Sequence, residues 1–222
     1  VSTPTPQESD ALAAHQQSLG YRAAKRTFDV VLSAAVIVIA AVPSVVLGVA
    51  IAADTKAFPI FTQERVGKGG KPFKLFKFRT MVKDAENLDA YLTPEQREQW
   101  ELEHKVDDDP RVTPLGVFLR RTSLDEVPNF LNVFTGDMST VGPRAITQEE
   151  LENFGDQVGK LLSVRPGVTG WWQVEARNDA TFESGERQAL ELYYVDHASI
   201  SLDLRIMFRT AGVMFGSNKT GR

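Results

Sequence analysis

Residues 30–53 read VVLSAAVIVIAAVPSVVLGVAIAA. No charge interrupts these 24 residues, and basic side chains crowd both flanks. Arg22, Lys25 and Arg26 precede the run; Lys56, Arg65, Lys68, Lys71, Lys74, Lys77, Arg79 and Lys83 follow it. As one helix it would extend about 36 Å, against a hydrocarbon core of about 30 Å. Its length therefore permits a membrane span. The charges argue against one, because Lys and Arg concentrate on the cytoplasmic side only. Pro43 removes a helix hydrogen bond and forces a bend, and Ser44 beside it can satisfy a freed carbonyl. Two readings stand on these residues alone. The helix enters the bilayer, bends and returns, or it makes one tilted, kinked span with the preceding chain on the far side.

The net charge of −4 conceals an asymmetry. Residues 22–83 carry 11 basic and 3 acidic groups, whereas residues 84–222 carry 14 and 24. The basic part lies nearest the membrane segment and suits anionic lipid headgroups, a phosphorylated substrate, or both. The acidic remainder disfavours a nucleic-acid partner. Cysteine is absent, which excludes disulfides and thiolate metal sites and suits the cytoplasm. The length accommodates one membrane segment and one compact domain. The expected division is a mobile tail or linker over 1–20, a membrane helix over 21–54, a compact domain over 55–218 and a short tail over 219–222. Oligomeric state is left open, a homo-oligomer included.

Ile60 to Val66 and Pro72 to Phe78 are rich in strand formers and flank the turn sequence Gly67-Lys68-Gly69-Gly70-Lys71, which predicts a β-hairpin. A helix is expected from about Met81 to Tyr91. Thr93-Pro94-Glu95-Gln96 starts another, with Thr93 as cap and Gln96 closing a capping box. Thr147 and Glu150 form a second box ahead of Leu151, Phe154, Val158, Leu161 and Leu162 at helical spacing. Glu186 to Val195 and Leu202 to Phe215 read as helices. The last is apolar over most of its surface, which suits a core stripe or a helix lying in a membrane interface.

Between Asp107 and Arg144, Gly and Pro break the chain into short pieces crowded with charge. Ser123-Leu124-Asp125-Glu126 lies there. Its spacing is that of a capping box, in which Asp125 simply favours the helix dipole. Pro128 conflicts with that reading, because a helix capped at Ser123 would need the N–H that Pro128 lacks. The helix is then bent or starts later. Adjacent carboxylates beside exposed N–H groups also suit chemistry on a phosphate: the amides attract the anion and keep Asp125 ionised, as a nucleophile must be. Arg120, Arg121, Arg144 and Arg165 stand near Gly or Pro rather than on long helices. Each offers a planar fork for phosphate, although surface ion pairing accounts for any one alone. His15, His104 and His197 all fall outside this region, against a histidine triad or a His-rich metal site.

Taken together, these residues resemble the bacterial sugar transferases, the monotopic phosphoglycosyl transferases. The likeness runs from about Tyr21 to Gly216. Lys25-Arg26-Thr27-Phe28-Asp29 precedes the membrane segment, and Gln63-Glu64-Arg65-Val66-Gly67 and Lys77-Phe78-Arg79-Thr80-Met81 frame the hairpin. Asp109-Pro110-Arg111-Val112-Thr113 and Leu119-Arg120-Arg121-Thr122-Ser123-Leu124-Asp125-Glu126-Val127-Pro128 follow. Gly136-Asp137-Met138-Ser139, Val141-Gly142-Pro143-Arg144 and Arg165-Pro166-Gly167-Val168-Thr169-Gly170 complete the series. Three positions depart from the family's pattern: Ala145 where a second proline is usual, Asn129 where Gln is common, and Glu191 where Asp is common. The first loosens the placing of Arg144; the last removes Glu191 from the expected site.

The resemblance implies an α+β, mainly helical fold: a re-entrant membrane helix bent at Pro43 beside Ser44, a small hairpin, and amphipathic helices around a loop-rich active site. It implies transfer of sugar 1-phosphate from a UDP-sugar to a polyprenyl phosphate, with release of UMP. Asp125 is the implied nucleophile and Glu126 its assistant, and Mg2+ at Asp125 balances the phosphate charge. Lys77, Arg79 and Arg144 are the expected phosphate contacts, with Arg111 and Arg165 behind them. A site at headgroup height, held on a bent anchor in the cytoplasmic membrane among its phospholipids, suits a lipid phosphate. Two other classes remain as alternatives: a magnesium-dependent nucleotide-sugar hydrolase and a non-catalytic membrane adaptor.

Overall fold

The structure is a computed structural model that describes residues 18–103, 106, 108–176 and 180–215. The expected tails, apart from residues 18–20, lie outside the described residues. Helix α1 spans Leu19–Thr55 and runs through Pro43. It starts where the Ser18 hydroxyl accepts the Tyr21 amide at 3.2 Å and ends at Lys56, which turns left-handed.

Strands β1, Ile60–Val66, and β2, Pro72–Phe78, form the antiparallel hairpin in the expected register span, Ile60 opposite Phe78 and Val66 opposite Pro72. Next come a single turn α2, Leu88–Tyr91, and helix α3, Pro94–Glu103. The Thr93–Gln96 box closes as expected: the Gln96 amide bonds the Thr93 hydroxyl and the Thr93 amide bonds the Gln96 side chain. The helix expected from Met81 is reduced to α2. Met81 instead bridges Val112, the Val82 amide bonds the Arg111 carbonyl, and the Arg111 guanidinium takes the Ala85 carbonyl at 3.1 Å. Long-range pairing has captured the backbone groups that a first helical turn needs.

Helix α4, Pro114–Thr122, is followed by a tight 3-10 turn, Leu124–Glu126, and helix α5, Asn129–Thr135. Strand β3, Ser139–Val141, pairs in parallel with β4, Gly167–Thr169. Between them the Thr147–Glu150 box opens a 3-10 stretch, Glu149–Gln157, that breaks at Gly155 before α6, Val158–Leu161. The apolar set predicted there is buried, and it packs with Val66 and Phe182. Short α7, Trp171–Glu175, precedes α8, Glu186–His197, and α9, Ile200–Phe215. Leu202 and Ile206 of α9 enter the core with Val141 and Tyr194, while Leu204 and Phe208 remain exposed.

Both ends of α1 dock on this one domain. Near its start the Asp29 carboxylate accepts the Thr140 amide of β3 at 2.9 Å, and Arg26 caps the end of α5 through the Val133 and Phe134 carbonyls. Asp203 of α9 accepts from the Tyr21 hydroxyl, the Lys25 ammonium and the Tyr194 hydroxyl at 2.7–2.8 Å. Near the far end Leu47 and Ile51 pack with Phe78 and Leu119. Between the docked ends Val38, Ile39, Val42, Val45, Val46 and Val49 stand about 70% uncovered. Replacing Asp203 by Ala leaves an ammonium and two hydroxyls without their acceptor. That change is expected to cost about 3 kcal/mol of stability, measured by thermal or denaturant unfolding.

Candidate active site

Thr113 caps α4 by accepting the Gly116 amide at 3.0 Å, with Pro114 at the first helical position. Gly116 lets α4 lie against the strand end, because a Cβ there would stand 2.0 Å from the Thr80 carbonyl oxygen. The helix ends at Ser123, whose φ of 56° is left-handed, and the chain turns through Leu124–Glu126. Ser123 therefore closes α4 rather than capping the next helix, which starts only after Pro128. The conflict that Pro128 poses in sequence is resolved by the later start. Asp125 and Glu126 are consequently presented, half-buried, on a turn between two helices.

The Lys77 ammonium at the end of β2 meets the Glu126 carboxylate at 3.0 Å. From α4, Arg120 donates to the Thr80 hydroxyl at 3.0 Å and lies within electrostatic reach of Asp125, Asp109 and Arg111. Burial pulls the Arg120 pKa below its ordinary value, and the Asp125 and Asp109 charges oppose that shift. Arg111 is locked: Asp109 accepts from its amide and its guanidinium at 2.6–3.1 Å, and the Trp100 ring covers it at 4.6 Å. Burial works to raise the Asp109 pKa, but the Arg111 hydrogen bonds outweigh it and the net shift is downward. Arg79, two residues beyond Lys77, donates to the Phe58 carbonyl at 3.0 Å beside the Phe61 ring.

The remaining expected cations lie in other clusters. Arg144 stands over Trp172 in a group with Arg65, Glu150, Arg187 and Glu191. Arg65 faces Phe73, four residues from Lys77 along β2, a separation of about 13 Å. Leu75, packed with Val133, Met138 and Ala145, fills the space between. Arg165 donates to the Gly136 carbonyl at 2.7 Å, within electrostatic reach of Arg22, Arg26, Asp29 and Asp137. Lys77 is thus placed at the carboxylate pair, Arg111 is held by its own acid, and Arg79, Arg144 and Arg165 make their contacts in other groups. Arg120, at the end of α4 and five residues before Asp125, lies within electrostatic reach of it, and that short separation was the available signal in the sequence. Among the described residues no three acidic or imidazole groups converge as a ready-made metal site.

Adjacent carboxylates thus stand near cations on a domain that carries one helix long and apolar enough to cross a membrane, largely uncovered along its middle. The chain belongs to the bacterial sugar transferase family, whose profile matches residues 20–217. It is 40% identical over 193 residues to the undecaprenyl-phosphate galactose phosphotransferase of Salmonella typhimurium, covering 86% of this chain and 40% of that protein. It is 40% identical to the exopolysaccharide production protein ExoY of Rhizobium meliloti, over 84% of this chain and 83% of that protein. It is 36% identical to the UDP-glucose:undecaprenyl-phosphate glucose-1-phosphate transferase of Escherichia coli, over 85% of this chain and 39% of that protein. The chain spans about two fifths of the length of several such relatives. Replacing Asp109 by Ala leaves the Arg111 charge buried and unpaired, and is expected to cost about 3–5 kcal/mol in denaturant unfolding.

Proposed function

We propose that this chain transfers a sugar 1-phosphate from a UDP-sugar to a polyprenyl phosphate, undecaprenyl or similar, at the start of exopolysaccharide or capsule assembly. The observation that carries the proposal is the Asp125–Glu126 pair, set on a turn with Lys77 and Arg120 around it. An Asp125 carboxylate oxygen attacks the phosphorus that bears the sugar. The bond from that phosphorus to the bridging oxygen breaks, and UMP leaves with the electron pair. The lipid phosphate oxygen then attacks the same phosphorus and displaces Asp125, giving the lipid diphosphosugar. Lys77 holds Glu126 and, with Arg120 and Arg79, offsets the charge that a diphosphate brings to a carboxylate.

Asp125 and Glu126 also suit Mg2+, which is commonly held by one or two carboxylates together with substrate phosphate oxygens. When bound, the ion neutralises developing phosphate charge. The chain's own part is to set Asp125 on the turn within reach of the Arg120 charge.

The anchor is read as re-entrant. A straight helix of 37 residues is about 55 Å long and carries its two ends to opposite faces of a bilayer. One domain occupies one face, yet it binds residues at both ends of α1. A bend at Pro43, where the Ile39 carbonyl loses its partner, returns the helix to the face it left. The uncovered valines then lie in lipid, and the domain sits at headgroup height on the cytoplasmic side of the inner membrane. Exposed Leu204 and Phe208 of α9 add apolar contact there.

Asp125→Asn is expected to lower UMP release at least about 10³-fold while the protein stays folded and membrane-bound. Wild type without polyprenyl phosphate should release one UMP per enzyme and stop. Full-rate release without the lipid would instead establish a hydrolase. For topology, single cysteines at Leu19 and Phe58, introduced into this cysteine-free chain, should react with an impermeant reagent from the same side. Labelling from opposite sides would overturn the re-entrant reading.

A further inference from the structure

We propose that Glu191 is a positioning residue for Arg144: from α8 its carboxylate grips the backbone of the loop that presents the Arg144 guanidinium to an anionic substrate. This rests on the proposed transfer and on Arg144, whose cluster is separate from the carboxylate turn, holding a part of the extended UDP-sugar away from the attacked phosphorus.

The loop after β3 lacks the second proline that would stiffen it, yet it is fixed at every residue. The Thr140 amide bonds Asp29, the Gly142 amide bonds the Thr169 carbonyl, and the Pro143 carbonyl accepts the Gly167 amide at 2.7 Å. The Ala145 carbonyl accepts from Arg65, and the Ile146 carbonyl from the Val66 amide. Two contacts come from one face of α8. The Tyr194 hydroxyl stands 3.1 Å from the Val141 carbonyl, and Glu191 Oε2 accepts the Arg144 amide at 3.0 Å. Glu191 and Tyr194 are three residues apart, so a single helix face holds both ends of the loop.

A neutral acceptor would satisfy that amide, so the use of an acid at 2% exposure needs a reason. The surrounding charges supply one. Arg65, Arg187 and Arg144 are three guanidiniums, and Glu150 and Glu191 are two carboxylates. Arg65, Arg187, Glu150 and Glu191 are buried, whereas Arg144 is only half-buried. With Glu191 ionised, the cluster carries one surplus positive charge, and Arg144 is the member able to offer it outward. Glu191 binds the amide and not the fork: Arg144 Nε and Glu191 Oε1 are both buried without a hydrogen-bond partner among the described residues. The guanidinium is left to the Trp172 face and the neighbouring charges, and the half-buried side chain keeps a side open to an anion.

Glu191 faces Arg187 on its own helix, Arg144 on the loop and Glu150 on the 3-10 stretch, with Arg65 of β1 behind Glu150. Lys160 of α6 is paired at the surface with Asp196, and Asp203 of α9 is held by Lys25 and two tyrosines one turn away. Burial is the largest influence and pushes the Glu191 carboxyl up to about 7, against the Arg144 amide and the two arginine charges. A carboxyl whose folded pKa exceeds its ordinary 4.5 stabilises the fold fully below pH 4.5 and loses that contribution as pH rises through about 7. Ionisation therefore costs stability while it organises the loop.

The test compares wild type with E191Q, E191D and E191A. In UMP-release assays wild-type kcat/KM should fall below about pH 7, and E191Q should lack that limb. At pH 8 E191Q should lose roughly tenfold in kcat/KM, mainly through KM for the UDP-sugar, with E191D restoring part of it. Thermal unfolding should show E191Q gaining on wild type between pH 5 and pH 8. Hydrogen exchange at the Arg144 amide should be protected in wild type and E191Q and lost in E191A. An E191Q protein that keeps the wild-type pH limb, or an Arg144 amide equally protected in E191A, overturns the proposal. Wild type that releases no UMP from any UDP-sugar, with the exchange and unfolding results as expected, would refute the transferase reading and leave the loop contact standing.

Discussion

Two carboxylates, Asp29 and Asp203, join an apolar helix to a polar domain, and the rest of the arrangement depends on that attachment. Asp29 is 2% exposed and Asp203 9%. Neither acid is tolerable inside a protein without donors. The β3 amide of Thr140 supplies one set, and Tyr21, Lys25 and Tyr194 supply the other. The same bonds that satisfy the acids fix α1 against β3 and α9. β3 continues directly into the loop that carries Arg144, so the position of that arginine is tied to α1 through the short stretch from Thr140 to Arg144.

The cations divide according to what already holds them. Arg26 and Arg165 take carbonyls at the end of α5, where a helix leaves acceptors unpaired. Arg111 is enclosed by Asp109 and Trp100. Arg65 is buried against Glu150, and its pKa falls to about 10 through burial first and the Arg144 charge second. Each of these is explained by local architecture. Lys77 and Arg120 differ because they act on the carboxylates of the turn: Lys77 pairs with Glu126, and Arg120, which also donates to the Thr80 hydroxyl, lies within reach of the Asp125 charge. The positive charges of Lys77 and Arg120 thus fall on the two adjacent acids of one turn and offset the repulsion between them.

The elements legible in the sequence were those whose reasons are local. The hairpin followed from strand formers around a glycine-rich turn, and both capping boxes closed through residues three apart. The helix expected from Met81 failed for a non-local reason: Arg111 and Val112, some thirty residues on, took its backbone. Grouping of the arginines failed in the same way. Arg120 lies five residues before Asp125, within reach of it, whereas the approach of Arg144 to Trp172 is set by packing that its sequence neighbourhood does not show. Glu191 was passed over because Asp is common there. An acid on the buried face of α8, between Arg187 and Tyr194, was the signal that burial makes readable.

The loss of the second proline at Ala145 shows how one constraint substitutes for another. Proline stiffens a turn through the chain itself, by fixing φ and removing a donor. Here the stiffness comes from outside. β4 holds residues 142 and 143, α8 holds 144, and β1 holds 145 and 146. The two means differ in one respect. A proline ring is indifferent to solution conditions, whereas a buried carboxylate holds its amide most strongly only when ionised. A loop fixed by Glu191 therefore acquires a dependence on proton concentration that a proline could not confer, and it acquires it at the residue bearing the half-buried guanidinium.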